Sequence, residues 1–334
     1  MDVQFQPLEI YDFSGGLTDY WLNGPLNKAK TLKNFVLIPV DQRAQLQTRP
    51  GSMPYDATEN QPANVVERLG TLINHDNNSF LLEQIKRKIY RKPATGAAVE
   101  LVGPSSNPVF GGGDESNIVS HTPWNRHTFV TNDNASSNVM KIYNEGGTLK
   151  VRNAGLPKLA TSPTVTAGGA GAENFIYAFV YYYTYTIGST TFEDFGAVTQ
   201  VSLANALAPN VSAVSITNIP VIANGATENY DTANIKVYIF RTQNNGTTFT
   251  FVKQITNGTT STTDNASDAS IASNLLLYTT GGVVDNDPPP KARFIHTAGD
   301  LTLYGYVTES GQVKPNRIRQ GIKSDPDSCP ESFF

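Results

Sequence analysis

The amino-acid sequence predicts an all-β protein. Charged residues make up only 16% of the 334 residues, while 27 glycines and 20 prolines supply frequent turns, a balance typical of short strands joined by tight turns. The longest alternating stretch, Glu173–Ile187, carries an aromatic residue at every odd position from Phe175 to Tyr185. Such alternation is typical of a β-strand. Because the other face is apolar near its start, we expect a central strand that is covered on both sides.

Residues 1–60 are predicted to form an N-terminal assembly segment. Gly15 and Gly16 mark a turn, Asn34–Val40 has the pattern of a strand, and Arg49–Gly51 predicts a second turn. The glycine pair lacks the spacing of the known phosphate-binding loops. We therefore interpret it as a turn.

Residues 61–158 contain two similar units that predict propeller-like blades of antiparallel sheet. In each unit an aromatic strand and a polar turn precede the tripeptide Lys-Ile-Tyr, at Lys88–Tyr90 and Lys141–Tyr143. Sheet units repeated about every 40 residues are typical of propellers and similar arrays. The pattern resumes in residues 273–334, where Phe294–Tyr306 predicts two strands around a turn and a third strand ends at Arg319. The predicted strands of the first two units are Leu69–Ile73, Phe80–Gln84, Ile89–Arg91, Thr128–Thr131, Val139–Tyr143 and Leu149–Arg152.

Residues 159–272 separate these units and predict a β-sandwich. About seven short strands with regular turn signals are typical of immunoglobulin-like and fibronectin type III-like domains. The region has no cysteine pair and no tryptophan, so we favour the fibronectin type. Besides the aromatic strand, the predicted strands are Ser162–Thr166, Phe192–Leu203, Val211–Ile219, Ile235–Thr242, Phe249–Ile255 and a last strand near Thr262.

Charge and composition limit the function. The formal net charge is −4, from 25 basic and 29 acidic residues, which does not favour tight binding of nucleic-acid phosphates. The one dense basic run includes Lys86, Arg87 and Lys88, a candidate contact for DNA or a partner; the alternative is a solvated strand edge. Cys329 is the single cysteine, which excludes an intramolecular disulfide. No secretory signal or membrane-inserted segment is predicted.

The residues do not predict catalysis, a cofactor or a metal site. The four histidines lack metal-binding spacing, and we expect surface or turn positions for them. Paired aspartates could serve glycoside hydrolysis or calcium binding, but they are also common turn formers. The odd-numbered tyrosines of the aromatic strand could form a sugar-stacking platform, with a place in the core as the favoured interpretation. The four histidines are His75, His121, His127 and His296, and the paired aspartates are Asp285, Asp287, Asp325 and Asp327.

Three stretches carry a resemblance to a known family. Phe13–Gly51, with its Gly-Gly turn, proline, Asn-containing strand and Arg-Pro-Gly turn, is similar to the opening of tail nozzle (tail tubular B) and tail stabilisation proteins of short-tailed bacteriophages. The aromatic strand and Ile235–Thr242 resemble the fibronectin-like insertion of those proteins. The proline-rich return Pro288–Pro290 and the Asp-Pro-Asp turn at Asp325–Asp327 resemble the resumption of their propeller.

The resemblance implies a structural virion component without enzymatic activity. It would be made in the host bacterial cytoplasm and form a homo-oligomeric ring, expected to be a hexamer, through which DNA passes transiently. Its neighbours would be the adaptor ring near the portal and the tail fibres. Members of the family run on for hundreds of residues, so we expect the chain to continue beyond Phe334. Candidate assembly contacts are Gly15, Gly16, Trp21, Arg49 and Pro50. The alternative is a receptor- or glycan-binding tail protein that uses its sandwich.

Overall fold

The structure, a computed structural model, divides the chain into two compact units, Met1–Ala57 and Thr58–Phe334. It describes residues 35–40, 43–48, 68–73, 79–85, 88–93, 97–104, 106, 110, 119–132, 138–167, 173–203, 213–225, 228–277 and 286–331. In the first unit, β1 (Phe35–Val40) and β2 (Arg43–Thr48) form an antiparallel hairpin. The predicted strand Asn34–Val40 is thus present to within one residue.

The described part of the second unit is nearly all β-structure, which confirms the all-β prediction. It holds several antiparallel sheets, none of them closed within the described ranges, and a single helix of four residues. Strands of two to twelve residues, most of them short and joined by tight turns, agree with the glycine- and proline-rich composition.

Two four-stranded meanders come first. The first sheet contains β3 (Arg68–Ile73), β4 (Ser79–Ile85), β5 (Lys88–Lys92) and β6 (Val99–Glu100). The second sheet contains β7 (Val119–Trp124), β8 (His127–Asn132), β9 (Met140–Glu145) and β10 (Thr148–Asn153). In both sheets each strand pairs with the next along the chain. The two Lys-Ile-Tyr tripeptides therefore occupy the third strand of their sheets, as a structural repeat requires.

The central sandwich follows the second sheet. Its strands are β11 (Thr164–Thr166), β12 (Ile176–Ile187), β13 (Thr190–Phe195), β14 (Thr199–Ser202), β15 (Val214–Thr217), β16 (Lys236–Thr242), β17 (Phe249–Thr256) and β18 (Thr262–Asp264). The smaller sheet has the order β11-β15-β18, and the larger sheet has the order β13-β12-β16-β17, with β14 also paired to β12. The short helix α1 (Asp268–Ile271) comes next, with Ser267 as its N-cap; it was not predicted.

The aromatic strand β12 organises the sandwich as predicted. It lies between β13 and β14 on one side and β16 on the other. Its odd-numbered side chains from Tyr177 to Tyr185 are buried in the core shared with Val165 and Ile216 of the smaller sheet. On the opposite face Ala178 and Val180 are also buried. Two covered faces explain why this strand has almost no polar residues over its first half.

One predicted strand, Phe192–Leu203, is wrong as a single element. The chain forms β13 and β14 instead, both paired to β12, with the register shifted by one residue around Gly196. Gly196 donates its backbone N–H to the Tyr181 carbonyl, and a Cβ at this position would lie 2.7 Å from the Pro157 carbonyl oxygen. A β-bulge at a position that only glycine fits accounts for the break.

After the sandwich the chain returns to the second sheet. The third sheet is a meander of β19 (Lys291–Ala298), β20 (Leu301–Glu309) and β21 (Gln312–Gln320). Thr122 Oγ1 on β7 donates to Thr297 Oγ1 on β19 at 2.9 Å. A core shared by the second and third sheets contains Phe129, Val139, Ile295 and Tyr304.

The three meanders form a stack with the second sheet in the middle. Its other face packs on the first sheet through a core that includes Leu82 and Ile89 from the first sheet and Val130 and Met140 from the second. Neighbouring residues such as Phe129 and Val130 therefore face opposite cores, which follows from the two-residue period of a strand.

Candidate functional site

The most unusual group in the described residues is the ammonium of Lys141. Lys141 lies on β9 between Met140 and Ile142, which both face the first sheet. Strand alternation therefore directs Lys141 to the opposite side, where it is fully buried. Lysine is almost never fully buried without partners, since an unpaired buried charge is very costly.

Three acceptors surround this ammonium, and all three lie more than 40 residues away in sequence. Lys141 Nζ donates to Asp194 Oδ2 at 2.5 Å, to Asp327 Oδ2 at 3.0 Å and to Tyr185 Oη at 3.2 Å. An ammonium has three donors, so all of them are used. Asp194 belongs to β13 of the sandwich, and Asp327 to the turn after the third sheet. The lysine thus connects three parts of the second unit; we call this group the ionic junction.

A directed chain of hydrogen bonds leads away from the ionic junction. Tyr185 Oη accepts from Lys141 and lies 2.9 Å from His127 Nε2, while His127 Nδ1 lies 2.7 Å from the Asn125 carbonyl oxygen. A carbonyl can only accept, so Nδ1 carries a proton. When the imidazole is neutral, Nε2 therefore accepts from the tyrosine hydroxyl.

A second set of contacts joins the same two regions nearby. Arg152 Nη2 on β10 donates to Asp231 Oδ2 at 3.1 Å, and Tyr143 Oη on β9 lies 3.2 Å from Tyr183 Oη on β12. The backbone N–H of Asn229 also donates to Asn153 Oδ1 at 2.9 Å. The sandwich is therefore fixed to the second sheet by several independent polar contacts.

Burial and charge shift the ionisation of the junction. Burial disfavours the Lys141 ammonium, but the charges of Asp194 and Asp327 outweigh burial and raise the pKa of the lysine above its usual range. Burial raises the pKa of Asp194 to about 7, with Asp327 acting in the same direction and Lys141 against it. Two carboxylates thus share one cation, so the junction holds excess negative charge when both are ionised.

Two further groups next to the junction are shifted by burial. The pKa of His127 falls to about 4, because burial and then the charge of Lys141 both disfavour the imidazolium. The pKa of Asp325 rises to about 6, from burial and then from the charge of Asp327. The low pKa of His127 favours the neutral imidazole, in which Nε2 accepts from the Tyr185 hydroxyl.

The arrangement suits mechanical attachment. Lys141 and Asp194 are closed off from solvent, and every lysine donor is already bonded. At the Asp327 turn, Gly155 donates its backbone N–H to Asp327 Oδ1 at 2.8 Å. Across the described ranges, no group of three or more His, Cys, Asp or Glu side chains is arranged to hold a metal ion.

Of the residues predicted as assembly, DNA or partner contacts, the structure describes only Lys88. Lys88 lies on β5, where its Nζ donates to Glu100 Oε2 at 2.7 Å. The strand β5 lies between β4 and β6, but β6 pairs only with Tyr90 and Arg91, so both interpretations of the basic run stay predictions. The other candidates fall outside the described residues: Gly15, Gly16, Trp21, Arg49, Pro50, Lys86 and Arg87.

Sequence reasoning missed the ionic junction. The expectation of a surface or turn position is wrong for His127, which is buried. Asp327 does form the predicted turn, with its backbone N–H donating to Asp325 Oδ1 at 3.1 Å, but it also pairs with Lys141. The sequence feature that could have indicated the junction is Lys141, a lysine between two apolar residues of a strand with two covered faces. The favoured core interpretation of the odd-numbered tyrosines is confirmed by their burial.

The fold and the junction define an all-β protein in which stacked antiparallel sheets hold an inserted sandwich. No protein-family model matches the chain, and no curated protein matches it. Among the helices that the structure describes, none is long and apolar enough to cross a membrane.

Proposed function

We propose that this chain is a structural subunit of the tail of a short-tailed bacteriophage. In this role it forms part of the ring-shaped nozzle through which DNA leaves the capsid, and it carries out no catalysis. The stacked meanders are propeller-like blades that build the wall, and the central sandwich is a fibronectin type III-like insertion.

The observation that carries the proposal is the return of the chain after the sandwich. The third sheet packs on the second across about 175 intervening residues, through the Thr122–Thr297 hydrogen bond and a shared core. This interrupted stack is the arrangement that the resemblance of Phe13–Gly51 and Pro288–Asp327 to tail nozzle proteins implies. The ionic junction supports a structural role, because it fixes the insertion to the wall instead of leaving it on a flexible linker.

Electron microscopy of the purified full chain tests the proposal. We expect rings with an axial pore wide enough for a DNA duplex. A compact monomer or trimer at every protein concentration would contradict the nozzle. Lys141→Met serves as the control for subunit stability. We expect the fraction of its molecules in rings to fall only as much as the folded fraction falls, which circular dichroism measures on the same samples.

A cleft on the sandwich favours a second candidate function, glycan binding by a tail protein. The cleft has a volume of about 390 Å³ and lies on the outer face of the larger sheet, beside Tyr182, Phe195 and Tyr238. The rings of Tyr182 and Tyr238 stack at 4.1 Å, and Tyr182 Oη donates to Glu193 Oε1 at 2.7 Å. Aromatic rings beside a carboxylate suit a neutral sugar.

Titration calorimetry with bacterial surface polysaccharide tests this second function. We expect Tyr238→Ala to abolish heat of binding, while Val221→Ala, elsewhere on the sandwich, leaves it unchanged. Equal binding by both variants, or no binding by the wild-type chain, would exclude a glycan site in this cleft.

A further inference from the structure

The ionic junction holds an amine and a carboxyl group close enough to react with each other. Lys141 Nζ lies 2.5 Å from Asp194 Oδ2. The carbon Cγ is one C–O bond of about 1.2 Å beyond that oxygen, so Nζ and Cγ are at most about 3.7 Å apart. Groups that react by direct attack are held about 3–3.5 Å apart. Lys141 and Asp194 are therefore near the geometry in which an amide bond forms.

The site around this pair is closed to water. The side chains of Lys141 and Asp194 are 0% and 6% exposed, and the Tyr185 ring lies 4.6 Å from Nζ. The rings of Tyr143 and Phe192 pack on Tyr185 in turn. Two buried charges carry a desolvation cost that a neutral amide does not. Burial therefore favours conversion of the ion pair into an amide.

A second carboxylate is in position to move a proton. Asp327 Oδ2 lies 3.0 Å from Lys141 Nζ, and Asp327 Oδ1 accepts the Gly155 backbone N–H at 2.8 Å, which fixes the carboxylate beside the amine. Burial raises the pKa of Asp194 to about 7, which favours transfer of a proton from the ammonium to Asp194. Burial lowers the pKa of Lys141, but the charges of both aspartates raise it further. The neutral amine is therefore a minor species, and its reaction is slow.

We propose that Lys141 and Asp194 form an intramolecular isopeptide bond, with Asp327 as the catalytic proton carrier. A proton first passes from the ammonium to the Asp194 carboxylate, which leaves a neutral amine and a neutral carboxyl group. Nζ then attacks Cγ and forms the C–N bond. Asp327 takes a second proton from Nζ and delivers it to the Asp194 hydroxyl, whose C–O bond breaks to release water. The products are an amide, one water and the original Asp327 carboxylate, and no oxidant or reductant is needed.

The bond joins β9 of the second sheet to β13 of the sandwich. It closes a loop across 53 residues, and such a cross-link stabilises a fold by restricting the unfolded chain. The 334 residues contain one cysteine, so no disulfide among them could serve the same purpose. The ionisation of the junction described above is that of the ion pair before it reacts. This chemistry does not depend on the proposed tail function.

Mass spectrometry of the folded full chain tests the bond. After prolonged incubation, we expect an intact mass lower than that of the sequence by one water, and a branched peptide that joins Lys141 to Asp194 in a protease digest. Lys141→Arg keeps the positive charge but has no primary amine, so it should keep the full mass. Asp327→Asn keeps an oxygen that can accept the Gly155 N–H. It should form the bond at least about 100-fold more slowly, because general acid–base catalysis is lost.

A matched control alters the same contact region without touching the amine. Asp231→Asn removes the charge that pairs with Arg152 and should form the bond at the wild-type rate. A second control lies within the wild-type chain, where the partly exposed Lys88–Glu100 pair should stay unlinked. Circular dichroism checks that each variant is folded.

Each result bears on a separate part of the proposal. A folded wild-type chain that keeps its full mass would overturn the isopeptide bond. A bond that forms as fast in Asp327→Asn as in the wild type would overturn the role of Asp327. An additional bond between Lys88 and Glu100 would show that proximity is sufficient, and would overturn the requirement for a closed site. The ring proposal is tested separately by electron microscopy and does not change with these results.

Discussion

The two Lys-Ile-Tyr strands have the same place in their sheets and different environments. Lys88 on β5 is 39% exposed and its Nζ bonds Glu100 of the same sheet. Lys141 on β9 is fully buried and bonds Asp194 and Asp327 from two other parts of the fold. The tripeptide marks the third strand of a meander, but the elements that pack on the sheet determine whether its lysine is exposed or buried. In the middle of a stack, the same residue becomes a connection between regions.

Replacing each of the two lysines in turn should give the largest difference in the free energy of unfolding. Lys141→Met leaves Asp194 and Asp327 without their shared cation in a buried site, and we expect the free energy of unfolding to fall by about 3–5 kcal/mol. Lys88→Met, at an exposed pair, should cost about 1 kcal/mol or less. Urea unfolding followed by tryptophan fluorescence measures both. Equal losses would show that the two strands do not differ in this way.

The glycines that follow the two sheets extend the comparison. Gly155 has a φ of +69°, and a Cβ there would lie 2.3 Å from the Asp327 carbonyl oxygen. A Cβ at Gly103, after the first sheet, would instead meet the side chain of Asn229. We expect Gly155→Ala to cost about 3 kcal/mol, because a main-chain atom cannot move aside. Gly103→Ala should cost less, about 1–2 kcal/mol. Thermal unfolding ranks the two, and a larger loss for Gly103→Ala would contradict the ranking.

Acid should affect the ionic junction through His127. Its pKa is 6.5 in the unfolded chain and about 4 in the folded protein, so the unfolded state binds more protons between these values and stability falls as the pH falls. The loss reaches about 3 kcal/mol by pH 4. Asp194 acts in the opposite direction, because its raised pKa of about 7 favours the folded state as the pH falls below 7.

A His127→Gln variant isolates the histidine contribution. The contribution of Asp194 is common to both proteins, so the difference in unfolding free energy between wild type and variant should move in favour of the variant from pH 6.5 to pH 4. Lys88→Met serves as the control and should follow the wild-type pH dependence. A constant difference between wild type and His127→Gln would mean that the imidazole does not titrate as described.

The smallest expected effect is the change that salt makes in the contribution of each lysine to the free energy of unfolding. The Lys88–Glu100 pair is partly exposed, so its contribution should largely disappear at about 1 M salt, where charges are screened over about 3 Å. The Lys141 contribution should persist, because its partners are shielded from solvent. Unfolding of wild type, Lys88→Met and Lys141→Met at low and high salt measures this, and parallel salt responses would contradict it.

The sequence predicted local features well because they depend on short-range patterns. Alternation located β12 and both covered faces, and the tripeptide repeat predicted equivalent strands in two sheets. Turn signals did not resolve β13 from β14, since the break depends on the approach of Gly196 to the Pro157 carbonyl, which is a tertiary contact. The strands β6 and β7 were also not predicted.

The ionic junction was beyond sequence reasoning for a related reason. Asp194 and Asp327 lie 53 and 186 residues from Lys141, and no periodic pattern connects positions so far apart. His127 has the local features of a hairpin-turn residue, and the rings of Tyr143, Tyr185 and Phe192 that pack around it remove it from solvent. Pairing between distant regions is set by how sheets stack, which a single sequence does not specify.

The separation of Lys141 from Asp327 also sets an order of events during synthesis. Ribosomes add about 5–20 residues per second, so Asp327 emerges about 10–40 seconds after Lys141. Until then the second sheet carries a lysine whose final counter-charge does not yet exist, and the open face of that sheet has nothing to stack on. The stack of sheets can therefore be completed only after the turn at Asp327 has been made, 186 residues after the lysine that it binds.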